Sequence, residues 1–270
     1  MSWWKTMVNW PGHIKKVFLP VHALGLAALV LLPRAGWHSL WLTLAGWTLF
    51  SGCGIAVGYH RLFSHKGFKV ARPVELFLLV CGAFGAQGSS IFWCALHRGY
   101  HHPHADTERD IHSPIHGKFN AYVGWIFKIR PDSVNLKYAV DLMRDKAHLW
   151  VHKRYVPLLW LPIALSALVD WRLALYFFAL PMMMAVHQEN LVDLFCHTRN
   201  VLGYRNHETR DNSMNNIVLG WLAWGQGWHN NHHKRPADWD FGSERWYEFD
   251  PCRLIIPLIA RRAGDAAPAR

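Results

Sequence analysis

The 23 residues from Trp37 to Tyr59 contain no Asp, Glu, Lys or Arg. Wound as an α-helix, such a run reaches about 35 Å, enough to cross a hydrocarbon core of about 30 Å. The charge-free run Val17 to Leu32 precedes it, and Pro33-Arg34 reads as the break between the two, so the pair predicts a tight membrane hairpin. A second hairpin is expected at Val156 to Leu168 and Leu173 to about Val192, turning at Asp170-Trp171-Arg172. Lys5, Lys15 and Lys16 precede the first hairpin, and Lys153, Arg154, Arg199 and Arg205 flank the second. By the positive-inside rule the ends of both hairpins, and both chain termini, are cytoplasmic. His187, Glu189, Asp193 and His197 sit late in the last apolar segment, where ionisable groups are expensive and point to function.

Pro73 to Trp93 is a further apolar stretch of spanning length. It is expected not to cross, because crossing would put the polar motifs on its two sides on opposite faces of the membrane. Gly82, Gly85, Gln87, Gly88, Ser89 and Ser90 also weaken it as a span. A helix in the interface or under a cytosolic cap fits better.

Composition agrees with segregated apolar and polar parts. Hydrophobic residues make up 51% and charged residues 17%, and the 16 Trp suit a membrane–water boundary. The net charge of +11 is scattered with no run of five or more Lys or Arg, which argues against nucleic acid as a partner. The five Cys form no CxxC and read as small buried hydrophobes in a reducing compartment. No cleavable signal peptide is expected, since Met1 to Lys16 is too long and too rich in Trp. The expectation is one all-α domain over residues 1–260. Its hairpins lie at about 17–59 and 156–196, its cytosolic helical cap at 60–155 and 197–260, and a disordered tail follows at 261–270.

Three histidine clusters carry the chemistry: His60 with His65, then His97, His101 and His102, then His229, His232 and His233. An α-helix turns about 100° per residue. On that register His97 and His101 share a face, as do His229 and His233, with His232 on a flank toward the same side. His60 and His65 are about 140° apart, so they either serve two metals or straddle a helix end. Eight imidazoles are more than one ion uses, so a two-metal site follows. The absence of Cys argues against structural zinc and for two iron ions with open positions. Each ligand needs its second ring nitrogen held, and Asp106, Glu108, Asp110, Glu189, Asp211 and Asp238 are candidates. His13, His22, His38, His148 and His152 read as ordinary polar residues.

In this order, and separated by apolar hairpins, HxxxxH, HxxxHH and HxxHH resemble the membrane fatty acid desaturase family. GYHRLFSHKGFK (Gly58 to Lys69), HRGYHHPHADTERDIHSP (His97 to Pro114) and GQGWHNNHHKRP (Gly225 to Pro236) are similar to its stearoyl-CoA and bacterial Δ9 branch. The resemblance covers about Val17 to Phe249. It implies four transmembrane helices under a cytosolic cap that holds two irons, an enclosed acyl tunnel, and a bacterial inner membrane as the setting. It implies His197 as a ninth ligand. Where animal members have an Asn that reaches iron through water, this chain has Asp193, which can bind directly or through water. The resemblance further implies dioxygen as co-substrate, removal of two hydrogens from adjacent methylenes, and an acyl chain carried on CoA, a carrier protein or a lipid. No HPGG heme motif is present, so electrons are expected from a separate ferredoxin, rubredoxin or cytochrome b5 type of donor. Trp93, Trp125, Trp224 and Trp228 are candidates for lining the tunnel, and Arg61 and Arg98 for holding a phosphorylated carrier at its mouth. The same iron chemistry also serves hydroxylases, acetylenases and oxidative decarboxylases. A reading of another class is a histidine-rich zinc transporter.

Overall fold

The computed structural model describes residues 12–261. The expected tail lies outside the described residues except for Arg261, whose N–H bonds the Lys69 carbonyl at 2.7 Å. Lys5 of the charge argument also lies outside them. The fold is helical, with one short antiparallel ribbon between β1 (Gly203–Tyr204) and β2 (Asn215–Asn216).

The first hairpin comprises α1 (Ile14–Ala35) and α2 (His38–Ser64), and both are long and apolar enough to cross a membrane. The break falls at Gly36, not at Pro33-Arg34. Pro33 stays inside α1, where it removes one i→i−4 bond without ending the helix, and Gly36 reverses the chain at φ 79°, a conformation open to glycine. α2 also runs past Tyr59 to Ser64, carrying His60 with it. Residues 73–93 form no single helix. They make α3 (Arg72–Ala83) and α4 (Ser90–Leu96), separated by a turn in which Ala86 and Gly88 have positive φ.

The second hairpin is α5 (Lys146–Val169) and a wide π-helical stretch, Leu173–Ala179, that runs into α6 (Leu180–Cys196). α5 starts ten residues before the expected Val156, because Asp145 caps it by accepting from Ala147 and His148 N–H. Pro157, Pro162 and a kink at Arg154 interrupt it. Among the described residues, only α1 and α2 combine spanning length with sufficient apolarity.

Large apolar side chains at the tips of the hairpins are exposed: Val30 and Trp37 are each 78% exposed, Leu168 84% and Val169 81%. Exposure on that scale is costly in water and ordinary in lipid. Small residues let the helices close up. A Cβ on Gly54 would stand 2.4 Å from the Cys81 carbonyl carbon, so α2 and α3 touch backbone to backbone there.

Two arginines tie α2 to later segments of the chain. Arg61 is fully buried and donates to Asp250 Oδ2 at 2.8 Å, Ala56 O at 3.0 Å and Trp239 O at 2.8 Å. Arg98 donates to Ser64 O at 3.0 Å and Asp141 Oδ1 at 2.7 Å, and also to Phe63 O. Neither stands at a tunnel mouth as expected. The peptide carbonyls and carboxylates around them take up their N–H donors.

Candidate metal centre

The way the helices wind decides which histidines meet. α2 is α-helical from His38 to Trp47 and then winds with i→i+5 bonds from Thr48 to Ser64. His65 N–H bonds the His60 carbonyl at 3.1 Å, and His102 N–H bonds the His97 carbonyl in the same pattern. An i→i+5 bond stacks residue i+5 close above residue i. His60 and His65 therefore share a side, and so do His97 and His102. The third cluster sits on a short helix, α8 (His229–Lys234), after α7 (Ile217–Leu222). His197 lies just past the end of α6.

Two groups result. His60, His65, His97, His102 and His232 bring one nitrogen each within 4.8 Å of one another, and so do His101, His197, His229 and His233. This corrects the α-register reading twice. His97 and His101 fall in different groups, while the π-winding there brings His102 round to the side of His97. His232 leaves its neighbours His229 and His233 and joins His60, because the two Nε2 atoms are 2.9 Å apart.

The second group is closed by its supporting shell. His101 Nδ1 meets Asp110 at 3.0 Å, His197 Nδ1 meets Asp106 at 3.0 Å, His233 Nδ1 meets Asp211 at 2.8 Å, and His229 Nδ1 meets the Gln226 carbonyl at 3.2 Å. All four partners only accept, so each Nδ1 carries the hydrogen and each Nε2 turns a lone pair inward. His197 and His229 then face each other Nε2 to Nε2 at 3.0 Å, while His101 Nε2 and His233 Nε2 are buried with no hydrogen-bond partner. Converging lone pairs repel unless a cation lies among them. Burial opposes a charge on His197, but Asp106 outweighs it and raises this ring.

In the first group, His60 Nδ1 meets Gln226 Oε1 at 2.7 Å, and the Nε2 pairs His65–His97 and His102–His232 are 2.8 and 2.9 Å apart. Bonds of about 2.1 Å at right angles put adjacent nitrogens about 3.0 Å apart, while tetrahedral angles put them about 3.4 Å apart. The closest observed spacings, 2.8 to 3.0 Å, are those of ligands at right angles. Burial, with neighbouring cationic groups, lowers His65 to about 3. Burial also lowers His233 to about 4 against the pull of Asp211, so both rings are neutral, as ligands must be.

Of the candidate supports, Asp106, Asp110 and Asp211 each hold one of the nine histidines. Glu189 acts one step removed, and Glu108 and Asp238 hold none of the nine. Asp193 joins neither group. Its carboxylate lines a small cavity and stands 4.0 Å from His112 Nδ1. Sequence reasoning passed over His112, a buried ring 3.0 Å from Asp110 that burial lowers and the carboxylates of Asp110 and Asp193 raise, to about 9. Its signal lay in the DIHSP run, one residue beyond Ile111 and two beyond Asp110.

The small cavity, about 60 Å³, is faced by ligands of both groups, including His60, His97, His101 and His229, with Trp93 and Trp125 in its wall. A larger apolar cavity of about 180 Å³ adjoins it, lined by Val17, Phe18, Phe92, Ile126 and Val186 and by the polar groups of His13, Ser89 and His152. Gln87, Trp125 and Asn190 line both. His13 and His152, read as ordinary polar residues, thus border the apolar space. Trp228 does not: it is fully buried, with Nε1 on the Phe249 carbonyl at 3.0 Å. Trp224 packs against Trp47 with ring centroids 4.9 Å apart and lines neither cavity.

Comparison with known proteins places the chain beside fatty-acyl enzymes. A family described as fatty acid desaturase matches residues 35–262. The sn-2 palmitoyl-lipid 9-desaturase of Nostoc sp. (strain 36) is 34% identical over 229 residues, covering 83% of this chain and 79% of that protein. The sn-1 stearoyl-lipid 9-desaturase of Anabaena variabilis is 28% identical over 260 residues, 94% of this chain and 92% of that protein. The acyl-CoA C20 Delta5-desaturase of Anemone leveillei is 31% identical over 227 residues, 83% of this chain and 71% of that protein.

Proposed function

The chain belongs to the fatty acid desaturase family and is an oxidoreductase acting on fatty-acyl chains; from that premise we propose that it inserts a cis double bond, at the ninth carbon, into a saturated chain carried on a lipid or as a thioester. The observation that carries the proposal is the meeting of the two cavities: an apolar space ends against a small space faced by both histidine groups. Two iron ions fit the nine nitrogens, His60, His65, His97, His102 and His232 holding one and His101, His197, His229 and His233 the other. Bound there, iron supplies the activation of dioxygen. The overall change consumes one dioxygen, two electrons and two protons, and turns two adjacent methylenes into an alkene with release of two waters.

The chain's own residues do the rest. The apolar walls seat methylenes that offer no charge for acid–base chemistry, so positioning and exclusion of water are the protein's task. Trp125 and Asn190, common to both cavities, border the passage between them. Gln87 is fixed there by accepting from Trp93 Nε1 at 3.0 Å and donating to Ala185 O at 3.1 Å. Asp106, Asp110 and Asp211 hold their rings in the ligand tautomer. Asp193 faces the small cavity, where it would reach a bound ion directly or through water.

The proposal extends to topology: α1, α2, α5 and α6 span a bacterial inner membrane as two hairpins, with the cap, the centre and both termini cytoplasmic. Electrons come from a separate ferredoxin, rubredoxin or cytochrome b5 type of protein. The test is expression in a host of defined lipid composition with such a donor, followed by mass-spectrometric location of double bonds. New unsaturation at the ninth carbon is expected. Hydroxylated, acetylenic or shortened products, or none, would refute the assignment.

A further inference from the structure

Gln226 touches both histidine groups. Its side-chain Oε1 takes the hydrogen of His60 Nδ1 at 2.7 Å, and its backbone carbonyl meets His229 Nδ1 at 3.2 Å. It is 1% exposed, so water does not compete for it. A glutamine amide, however, has two nearly isosteric ends. Turned over, it would offer a donor to His60 Nδ1 and force the ring into the opposite tautomer, with its hydrogen aimed into the metal group.

The amide's orientation is decided from behind. Gln226 Nε2 donates to Glu189 Oε2 at 3.1 Å, and an ionised carboxylate only accepts. The other carboxylate oxygen, Oε1, takes Gln188 Nε2 at 3.2 Å. Gln188 is itself oriented, because its Oε1 takes the Trp47 indole N–H at 2.9 Å, and an indole only donates. With Glu189 ionised, every bond in the row Trp47, Gln188, Glu189, Gln226, His60 runs in one direction, toward its carboxylate.

We infer that Glu189 is a positioning residue for the first metal, acting through the Gln226 amide: its charge holds Oε1 toward His60 and so keeps the His60 Nε2 lone pair inward. His101, His197 and His233 are each held by a carboxylate directly, whereas His60 is held by one at a distance of one amide. The inference rests on the metal-centre reading above.

The test is binding of Co²⁺ to the purified full chain in detergent, followed by its visible absorption, which reports coordination. Glu189→Gln keeps volume and removes the charge, so Gln226 is free to turn. The expected result is two ions in the wild type and a first ion bound about 10- to 100-fold more weakly in the variant, with the second ion's bands retained. Gln226→Glu alone sets two carboxylates against each other and is expected to weaken the same ion. The double exchange, Glu189→Gln with Gln226→Glu, restores one carboxylate and one amide in reversed order, with the carboxylate on His60, and is expected to return affinity to within about threefold of wild type. A merely space-filling role would not produce that recovery. Unchanged binding in Glu189→Gln overturns the inference, as does a double exchange that binds no better than the single variants or fails to fold. A wild type that binds fewer than two ions overturns the metal-centre reading instead.

Discussion

Asp211→Asn changes one atom and reverses the logic of a ligand. Asp211 Oδ2 holds His233 Nδ1 at 2.8 Å, and its Oδ1 takes the Thr209 hydroxyl at 2.7 Å and Ser213 N–H at 3.0 Å. The Ser213 N–H only donates, so an asparagine keeps its oxygen there and turns its NH₂ toward His233. His233 then shifts its hydrogen to Nε2 and loses its lone pair toward the second group. If the amide turns over instead, Ser213 N–H loses its partner at a cost of about 1–3 kcal/mol. Either way the second ion weakens by about 5- to 150-fold, since about 1.4 kcal/mol is tenfold. The first group contains neither residue and should keep its ion. Anaerobic titration with Fe²⁺, read by metal analysis after gel filtration, should give two ions per wild-type chain and one per variant chain at intermediate iron. Two ions bound with wild-type affinity would refute the tautomer argument.

Adjacent histidines should fail differently: His101→Ala is expected to lose the second ion's spectroscopic signature and His102→Ala the first's, and identical spectra would contradict the partition. Burial lowers His65 to about 3 and His233 to about 4 from 6.5 in the unfolded chain. Between pH 6.5 and about 4 the unfolded chain thus binds more protons, and the metal-free protein should lose up to about 1.4 kcal/mol of stability per pH unit for each ring as pH falls, with no loss from these rings above pH 7, as chemical denaturation at several pH values will show. Val186→Phe narrows the apolar cavity; if two methylenes are displaced at about 0.8 kcal/mol each, kcat/KM for the longest chains should fall about tenfold while shorter chains are spared. Arg61→Ala strands Asp250 as a buried charge and should cost about 3–5 kcal/mol in stability, seen as a lower Tm, without a selective rise in KM.

Much of the centre was legible because its residue types are expensive to place anywhere else. Eight of the nine histidines stand out in the chain by residue type and spacing; His197 came from the family resemblance, and Asp106, Asp110 and Asp211 were three of six candidate carboxylates. Their partition was not legible, because spacing was converted to angle on a 3.6-residue turn. His60–His65 and His97–His102 share a spacing of five, and that repeat was the available signal for i→i+5 winding. Gln226 was hidden for another reason: an uncharged amide carries no mark of function until its neighbours fix which end points where. Arg61 and Arg98 misled because sequence cannot tell a charge that faces a ligand from one that ties helices together. The helix bounds depart from those expected where α5 begins ten residues earlier under its Asp145 cap, α2 runs on to Ser64, and α1 ends at Ala35, before Gly36, instead of at Pro33.

The most direct measurement is anomalous X-ray scattering at the iron edge from crystals of the iron-loaded protein. Two peaks per chain are predicted, one among His60, His65, His97, His102 and His232 and the other among His101, His197, His229 and His233. A single peak, or a peak shared by His101 and His102, would contradict the account.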